Sequence, residues 1–282
     1  MGTVYLAEHT LLGRRAAIKV VRSSLSEDAA IVERFFHEAR VVSQIADPGI
    51  VQVFDFGYHT DGSAFIVMEL LEGEALDQRI ARIDRLGVFE SLRLIRMICT
   101  SLGAVHARGI VHRDLKPANI FLVEDPAVAG CERAKLLDFG IAKLAREDAA
   151  GLATRTGSAI GTPAYMSPEQ CRGSDLVDQR SDIYSIGCVL FAMLTGQPPF
   201  DATAPGDLLA AHLCETPPLA SSCVPALPPA IDDIVERCLA KSADHRFAST
   251  SELALAIDVA EQALLRASRG ATSLPPPSTP PP

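Results

Sequence analysis

His112-Arg113-Asp114-Leu115-Lys116-Pro117-Ala118-Asn119 gathers a carboxylate, an ammonium and a carboxamide in one short loop. That grouping suits phosphoryl transfer. A hydroxyl nucleophile needs a carboxylate to orient it and take its proton, a departing phosphate needs positive charge, and a Mg²⁺ that bridges phosphates needs oxygen ligands. Asp114, Lys116 and Asn119 supply one of each. Taken singly, Asp114 reads as a capping or turn aspartate and Lys116 as a solvated surface charge, so the weight rests on what accompanies them.

Four further stretches accompany the loop. Ala16-Ala17-Ile18-Lys19 ends an apolar strand on a permanent charge, which requires a partner or a phosphate. Phe35-Phe36-His37-Glu38-Ala39-Arg40 offers a carboxylate on the following helix, with Glu33 as a competitor. Asp138-Phe139-Gly140 follows the apolar Lys135-Leu136-Leu137, whereas the other copy of this tripeptide, Asp55-Phe56-Gly57, precedes the loop and reads as strand-terminal turn chemistry. Gly161-Thr162-Pro163-Ala164-Tyr165-Met166-Ser167-Pro168-Glu169 comes last, with Asp244-His245-Arg246-Phe247 far downstream.

In this order the motifs resemble those of the protein kinases, whose catalytic loop reads H-R-D-L-x-x-x-N and whose lysine strand reads V-A-I-K. The resemblance covers residues 1 to about 267 and is similar to the bacterial, eukaryotic-like serine/threonine kinases. It implies that Asp114 is the catalytic base and that Lys116 contacts the transferring phosphate. Thr162 would hydrogen-bond near both. Lys19 paired with Glu38 would position the phosphates of ATP, and Asn119 with Asp138 would hold Mg²⁺, or Mn²⁺ in its place. Met68 to Gly73 would be the hinge, with the backbone of Glu69 and Leu71 reading adenine, Met68 guarding a back pocket, and Val4, Ala17 and Phe121 sandwiching the ring. Structural roles are implied for Arg113, for Asp182 as a brace of the catalytic-loop backbone, and for Glu169 paired with Arg246. Thr154 and Thr156 resemble an autophosphorylated T-x-T pair, where a phosphate's charge would be met by Arg113. Lys116-Pro117 favours serine/threonine over tyrosine as the acceptor. Protein substrates are the partners implied, and a homodimer would permit phosphorylation in trans.

One departure stands out. The family's nucleotide loop reads G-x-G-x-x-G-x-V, and Met1-Gly2-Thr3-Val4-Tyr5 supplies only its end, with Gly2 as the third glycine. The reading favoured is a start placed at an internal methionine, the alternative a true truncation. Rival functions are a pseudokinase scaffold impaired by the short glycine loop and a small-molecule phosphotransferase, which would lack the stretch at 161–169.

Composition limits the remaining classes. Lys and Arg number 26 against 35 Asp and Glu, a net charge of −9, which opposes a general nucleic-acid surface. The seven cysteines show no C-x-x-C pair or metal spacing and read as reduced thiols, several in apolar helical segments. No run approaches the roughly 20 apolar residues of a membrane helix, so a cytoplasmic domain is expected.

Periodicity yields an α+β fold. Strands are expected at 3–7, 16–21, 51–58 and 64–70 around one helix at 27–46, a small sheet with one helix, which the resemblance makes the antiparallel N-lobe with hinge over 1–72. A larger, mostly helical C-lobe follows over 73–267, with a long helix at 88–108, a strand pair at 120–123 and 134–137, and helices at 181–195, 204–214, 229–240 and 250–267. Residues 268–282, rich in proline, read as a linker without enough apolar surface to pack.

Overall fold

Short runs of mostly apolar and β-branched residues make Thr3–Glu8 (β1) and Arg15–Val20 (β2) a hairpin, closed by hydrogen bonds from His9 N to Arg14 O and from Gly13 N to His9 O, both 2.9 Å. The computed structural model describes residues 2–21, 29–139, 163–173 and 177–271, the side chains at 29–31, 34, 38 and 267–271 excepted. Val53–Tyr58 (β3) and Ala64–Glu69 (β4) complete an antiparallel sheet in the order β1-β2-β4-β3. Against it packs Ala29–Val42 (α1), whose Val32, Phe35 and Ala39 recur at helical spacing and are buried with Val21, Ala64 and Ile66.

Asp55-Phe56-Gly57 departs from expectation. It lies inside β3 rather than at a strand end, at a register shift where Asp55 Oδ1 accepts the Phe56 amide at 2.8 Å. The bulge absorbs a residue without ending the strand, an event that turn propensities do not signal.

A second sheet, in the order β5-β6-β7, is formed by Gly73–Ala75, Ile120–Glu124 and Glu132–Leu136. The helices Leu76–Ile83 (α2) and Val88–His106 (α3) lie between its first two strands in sequence. After it come Pro168–Cys171 (α4), Gln179–Thr195 (α5), Pro205–Cys214 (α6), Ala220–Cys223 (α7), Pro229–Cys238 (α8) and Thr250–Ala271 (α9). The short strand β5 and helices α4 and α7 carry too few residues to show a period.

Every residue of α5 from Ser181 to Leu194 is buried, so this helix is the axis of the lower lobe. Gly187 permits α8 to approach it: a Cβ there would stand 2.6 Å from Cys238 Cβ. Cys99, Cys188 and Cys238 lie in this core, and burial pushes the Cys238 thiol up to about 12. The cysteines act there as small apolar groups.

The lobes are stitched by backbone. Val51 N donates to Leu136 O at 3.1 Å and Leu136 N to Gly49 O at 2.7 Å, while Ser101 on α3 donates to Asp47 at 2.7 Å. Glu69, at the end of β4, accepts from Lys135 of β7 at 2.6 Å and from the Gln52 amide at 2.7 Å. The two-lobed α+β architecture expected from the element pattern and the family resemblance is the one observed. Among the described residues no helix is long and apolar enough to cross a membrane.

Candidate active site

The loop at 112–119 leaves α3 and enters β6 through a turn of 3₁₀ helix, Pro117–Asn119. Its backbone is held from below by Asp182 near the start of α5. That carboxylate is fully buried and accepts three hydrogen bonds: His112 N at 2.8 Å and His106 Nε2 at 2.7 Å on Oδ2, and Arg113 N at 2.9 Å on Oδ1. Three donors offset the desolvation of the charge. They also hold Arg113 at φ +63°, a conformation that L-residues adopt at a cost.

His112 shapes the next step. Its Nε2 lies 3.0 Å from Leu137 O, a pure acceptor, so the proton sits on Nε2 and Nδ1 is left to accept the Asp114 amide at 3.3 Å. Burial lowers the His112 pKa against the pull of Asp182 and Asp114, which keeps this neutral tautomer. On Asp114, Oδ2 accepts Lys116 Nζ at 3.0 Å and Asn119 Nδ2 at 3.1 Å, and the backbone oxygen accepts Asn119 Nδ2 at 2.8 Å. The carboxamide of Asn119 therefore commits its nitrogen and turns its oxygen outward as an acceptor.

Asp138 follows β7, fixed by Leu137 N donating to Asn119 O at 2.9 Å, and takes φ +47°. Lys19 meets it at 2.6 Å from the upper lobe. Strand register explains the direction: Val4 faces Lys19 across β1 and β2, Lys19 faces Ile66 and Ala17 faces Met68 across β2 and β4, so these residues share one side of the pleat. Phe139, by contrast, turns into the core against the His112 ring, with centroids 4.7 Å apart. Lys19, Met68, Asp138 and Phe139 line a cavity of about 30 Å³, room for a single water.

The remaining expected residues fall variously. Glu38 lies on α1, but its side chain is outside the described residues, as are Thr154, Thr156 and Thr162. Glu33 is exposed. Gly2 abuts β2 so tightly that an added Cβ would meet Val20 O at 1.9 Å. Val4 is 57% exposed, while Ala17 and Phe121 are half-buried on opposite lobes. The backbone N–H and C=O of Leu71 take no hydrogen bond from the described residues.

Glu169 meets Arg246 through both oxygens, at 2.7 and 2.9 Å, and accepts Ser181 Oγ at 2.5 Å. Gln170, His106 and Lys135 also belong to this assembly and sequence reasoning passed over them. Gln170 alone had a local signal, as the fourth residue of the helix-start pattern Ser167-Pro168-Glu169-Gln170.

A small antiparallel sheet and a helical lobe together bring a lysine–aspartate pair over a carboxylate-ammonium-carboxamide loop, the two-lobed α+β arrangement of a known fold family. The sequence model for the protein kinase domain matches residues 1–256. The chain belongs to the protein kinase family. It is 41% identical over 266 residues to serine/threonine-protein kinase pkn2 of Myxococcus xanthus, an overlap of 94% of this chain and 31% of that protein. To serine/threonine-protein kinase PknH of Mycobacterium tuberculosis it is 37% identical over 291 residues, 100% of this chain and 45% of that protein. The chain thus spans less than half the length of these relatives. The crystal structure of the Mycobacterium tuberculosis PknI kinase domain superposes with a TM-score of 0.70 at 30% identity, covering 92% of this chain and 90% of that one.

The donor types present fit the metal that the family uses. Asn119 and Asp138 would hold a hard cation through side-chain oxygens, and a site with two protein oxygens would suit Mg²⁺. Lys19 lies beside Asp138, where it can meet a phosphate as well.

Proposed function

We propose that this domain transfers the γ-phosphate of ATP to serine or threonine hydroxyls of proteins. The observation that carries the reading is the convergence of Lys116 and Asn119 on one oxygen of Asp114. A carboxylate held by an ammonium and a carboxamide is oriented, charged and set beside a cation that can follow the transferring phosphate.

In this reading Asp114 orients the acceptor hydroxyl and takes its proton as the oxygen attacks the γ-phosphorus. The bond from that phosphorus to the bridging oxygen breaks, and ADP carries away the electron pair. Lys116 meets the equatorial charge and Lys19, with Glu38, draws the α- and β-phosphates into line. Mg²⁺, held by Asn119 and Asp138, would neutralise phosphate charge. Glu69 and Leu71 offer backbone groups to adenine, Met68 closes the pocket behind it, and Val4, Ala17 and Phe121 flank the ring, with Gly2 approaching the phosphates. Thr162 steadies Asp114 and Lys116. Autophosphorylation of Thr154 or Thr156 would add nearly two negative charges, with Arg113 as their counter-ion, since its guanidinium has no ion pair among the described residues. Asp182, Glu169 and Arg246 hold the frame, and the lobes divide at 72 and 73.

Radiolabelled ATP and a generic basic protein test the reading. Transfer is expected from the wild-type chain, and Asp114→Asn should lower kcat by about 10²- to 10⁴-fold with ATP binding retained. Equal turnover by Asp114→Asn would overturn it.

A further inference from the structure

The peptide group joining Arg113 to Asp114 is gripped at both of its polar atoms by side chains. On one side, its N–H, which belongs to Asp114, donates to His112 Nδ1 at 3.3 Å. On the other, its C=O, which belongs to Arg113, accepts Gln170 Nε2 at 2.7 Å. The preceding amide is held as well, by Asp182 at 2.9 Å. Arg113 stands at φ +63°, so this peptide plane has been turned into a conformation that the chain does not favour unaided. Rotation of the plane would carry the Asp114 carboxylate with it.

Gln170 is itself immobilised by a second role. Its Oε1 accepts the Ser167 amide at 3.1 Å while its own amide donates to Ser167 Oγ at 3.4 Å, a reciprocal cap on the start of α4. With the oxygen committed to the cap, the amide nitrogen is aimed at Arg113 O by the same planar group. The side chain therefore ties the segment 163–170, where Ser185 Oγ also holds Tyr165 O at 2.7 Å, to the backbone of the catalytic loop.

We propose that Gln170 is a positioning residue, which holds the Arg113–Asp114 peptide so that Asp114 faces the acceptor hydroxyl and couples that alignment to the placement of residues 163–170. The inference rests on the reading of Asp114 as the base. Catalysis is sensitive to such alignment, since a misplacement of about 1 Å can cost on the order of 10²-fold.

Two variants separate the donor from the cap. Gln170→Glu keeps an oxygen for the Ser167 amide and removes the donor to Arg113, whereas Gln170→Met removes both. Steady-state kinetics with ATP and a basic peptide are expected to show kcat down about 10- to 100-fold in both, with the KM for ATP and for peptide within about twofold of wild type. Thermal unfolding should show a loss in both, larger in Gln170→Met, which forfeits the cap as well as the donor. Wild-type kcat in either variant would overturn the proposal, as would a fall in kcat that tracks the thermal loss and spares Gln170→Glu, since capping alone would then explain it. Asp114→Asn, assayed alongside, distinguishes the two readings: if it retains turnover the base assignment fails, and if it is inactive while the Gln170 variants are unimpaired only the positioning role fails.

Discussion

Replacing Arg246 by methionine should be among the more destabilising single changes in the lower lobe. The residue is 3% exposed and its guanidinium serves four acceptors: Glu169 through two hydrogen bonds, and the carbonyls of Ala240, Arg180 and Lys241 at 2.8, 2.9 and 3.2 Å. Methionine fills part of the volume and supplies none of the donors, so Glu169 becomes an uncompensated, nearly buried charge. Breaking such a pair from one side costs about 3–5 kcal/mol. The acid–base behaviour of Glu169 reflects the same contact. Burial opposes ionisation of Glu169, but the hydrogen bonds and charge of Arg246, with help from Ser181, prevail and hold the carboxyl at about 2 instead of 4.5. That displacement corresponds to about 3 kcal/mol. Because the folded pKa is the lower one, this stability is present above pH 4.5 and drains away as pH falls towards 2. Urea unfolding of wild type and Arg246→Met at pH 7 and again near pH 4 is the assay. The deficit should be about 3–5 kcal/mol at neutrality and narrower in acid, and adding Glu169→Gln to the variant should recover part of it. A deficit below about 1 kcal/mol, the scale of a surface pair, or one indifferent to pH, would refute the reasoning.

Two other perturbations follow from the core. His212 is buried between Phe200 and Tyr184, whose hydroxyl lies 2.9 Å from Nδ1, and burial together with Lys241 lowers its pKa from 6.5 to about 4. A depressed histidine keeps its contribution above pH 6.5 and loses it on the way down to 4, so stability should fall by about 3 kcal/mol over that interval, and His212→Phe should flatten this part of the pH profile. At Gly187, helix propensity favours alanine by about 1 kcal/mol. The contact of 2.6 Å with Cys238 Cβ opposes it, and overpacking of about 1–3 kcal/mol should win, so that Gly187→Ala melts below wild type.

Much of the fold was legible because local patterns repeat over enough residues to show a period. The strands of the upper sheet and the helices α3, α5, α6, α8 and α9 emerged within a few residues of their observed bounds. The expected C-terminal end overshot at α1, where the chain tightens beyond Val42 through Gln44 N to Val41 O and Ile45 N to Val42 O, both 3.1 Å. Strand β5 is three residues long and carries no such pattern.

The loop at 112–119 and the stretches around Lys19, Asp138 and Glu169 could be read from residue type and order, because each chemistry demands particular side chains close together in sequence. What sequence alone determined was therefore the set of groups available and the family that arranges them so. Which group touches which was decided by the tertiary structure. Asp182 is sixty-nine positions from the Arg113 amide that it holds and Gln170 fifty-seven from the carbonyl that it donates to. Lys19 reaches Asp138 across 119 positions and the cleft between lobes. Spacing along the chain carries no information about such pairs. They exist because the fold sets α5 beneath the loop at 112–119, where buried polar groups must find partners, and sets Lys19 of the upper sheet beside the segment that follows β7.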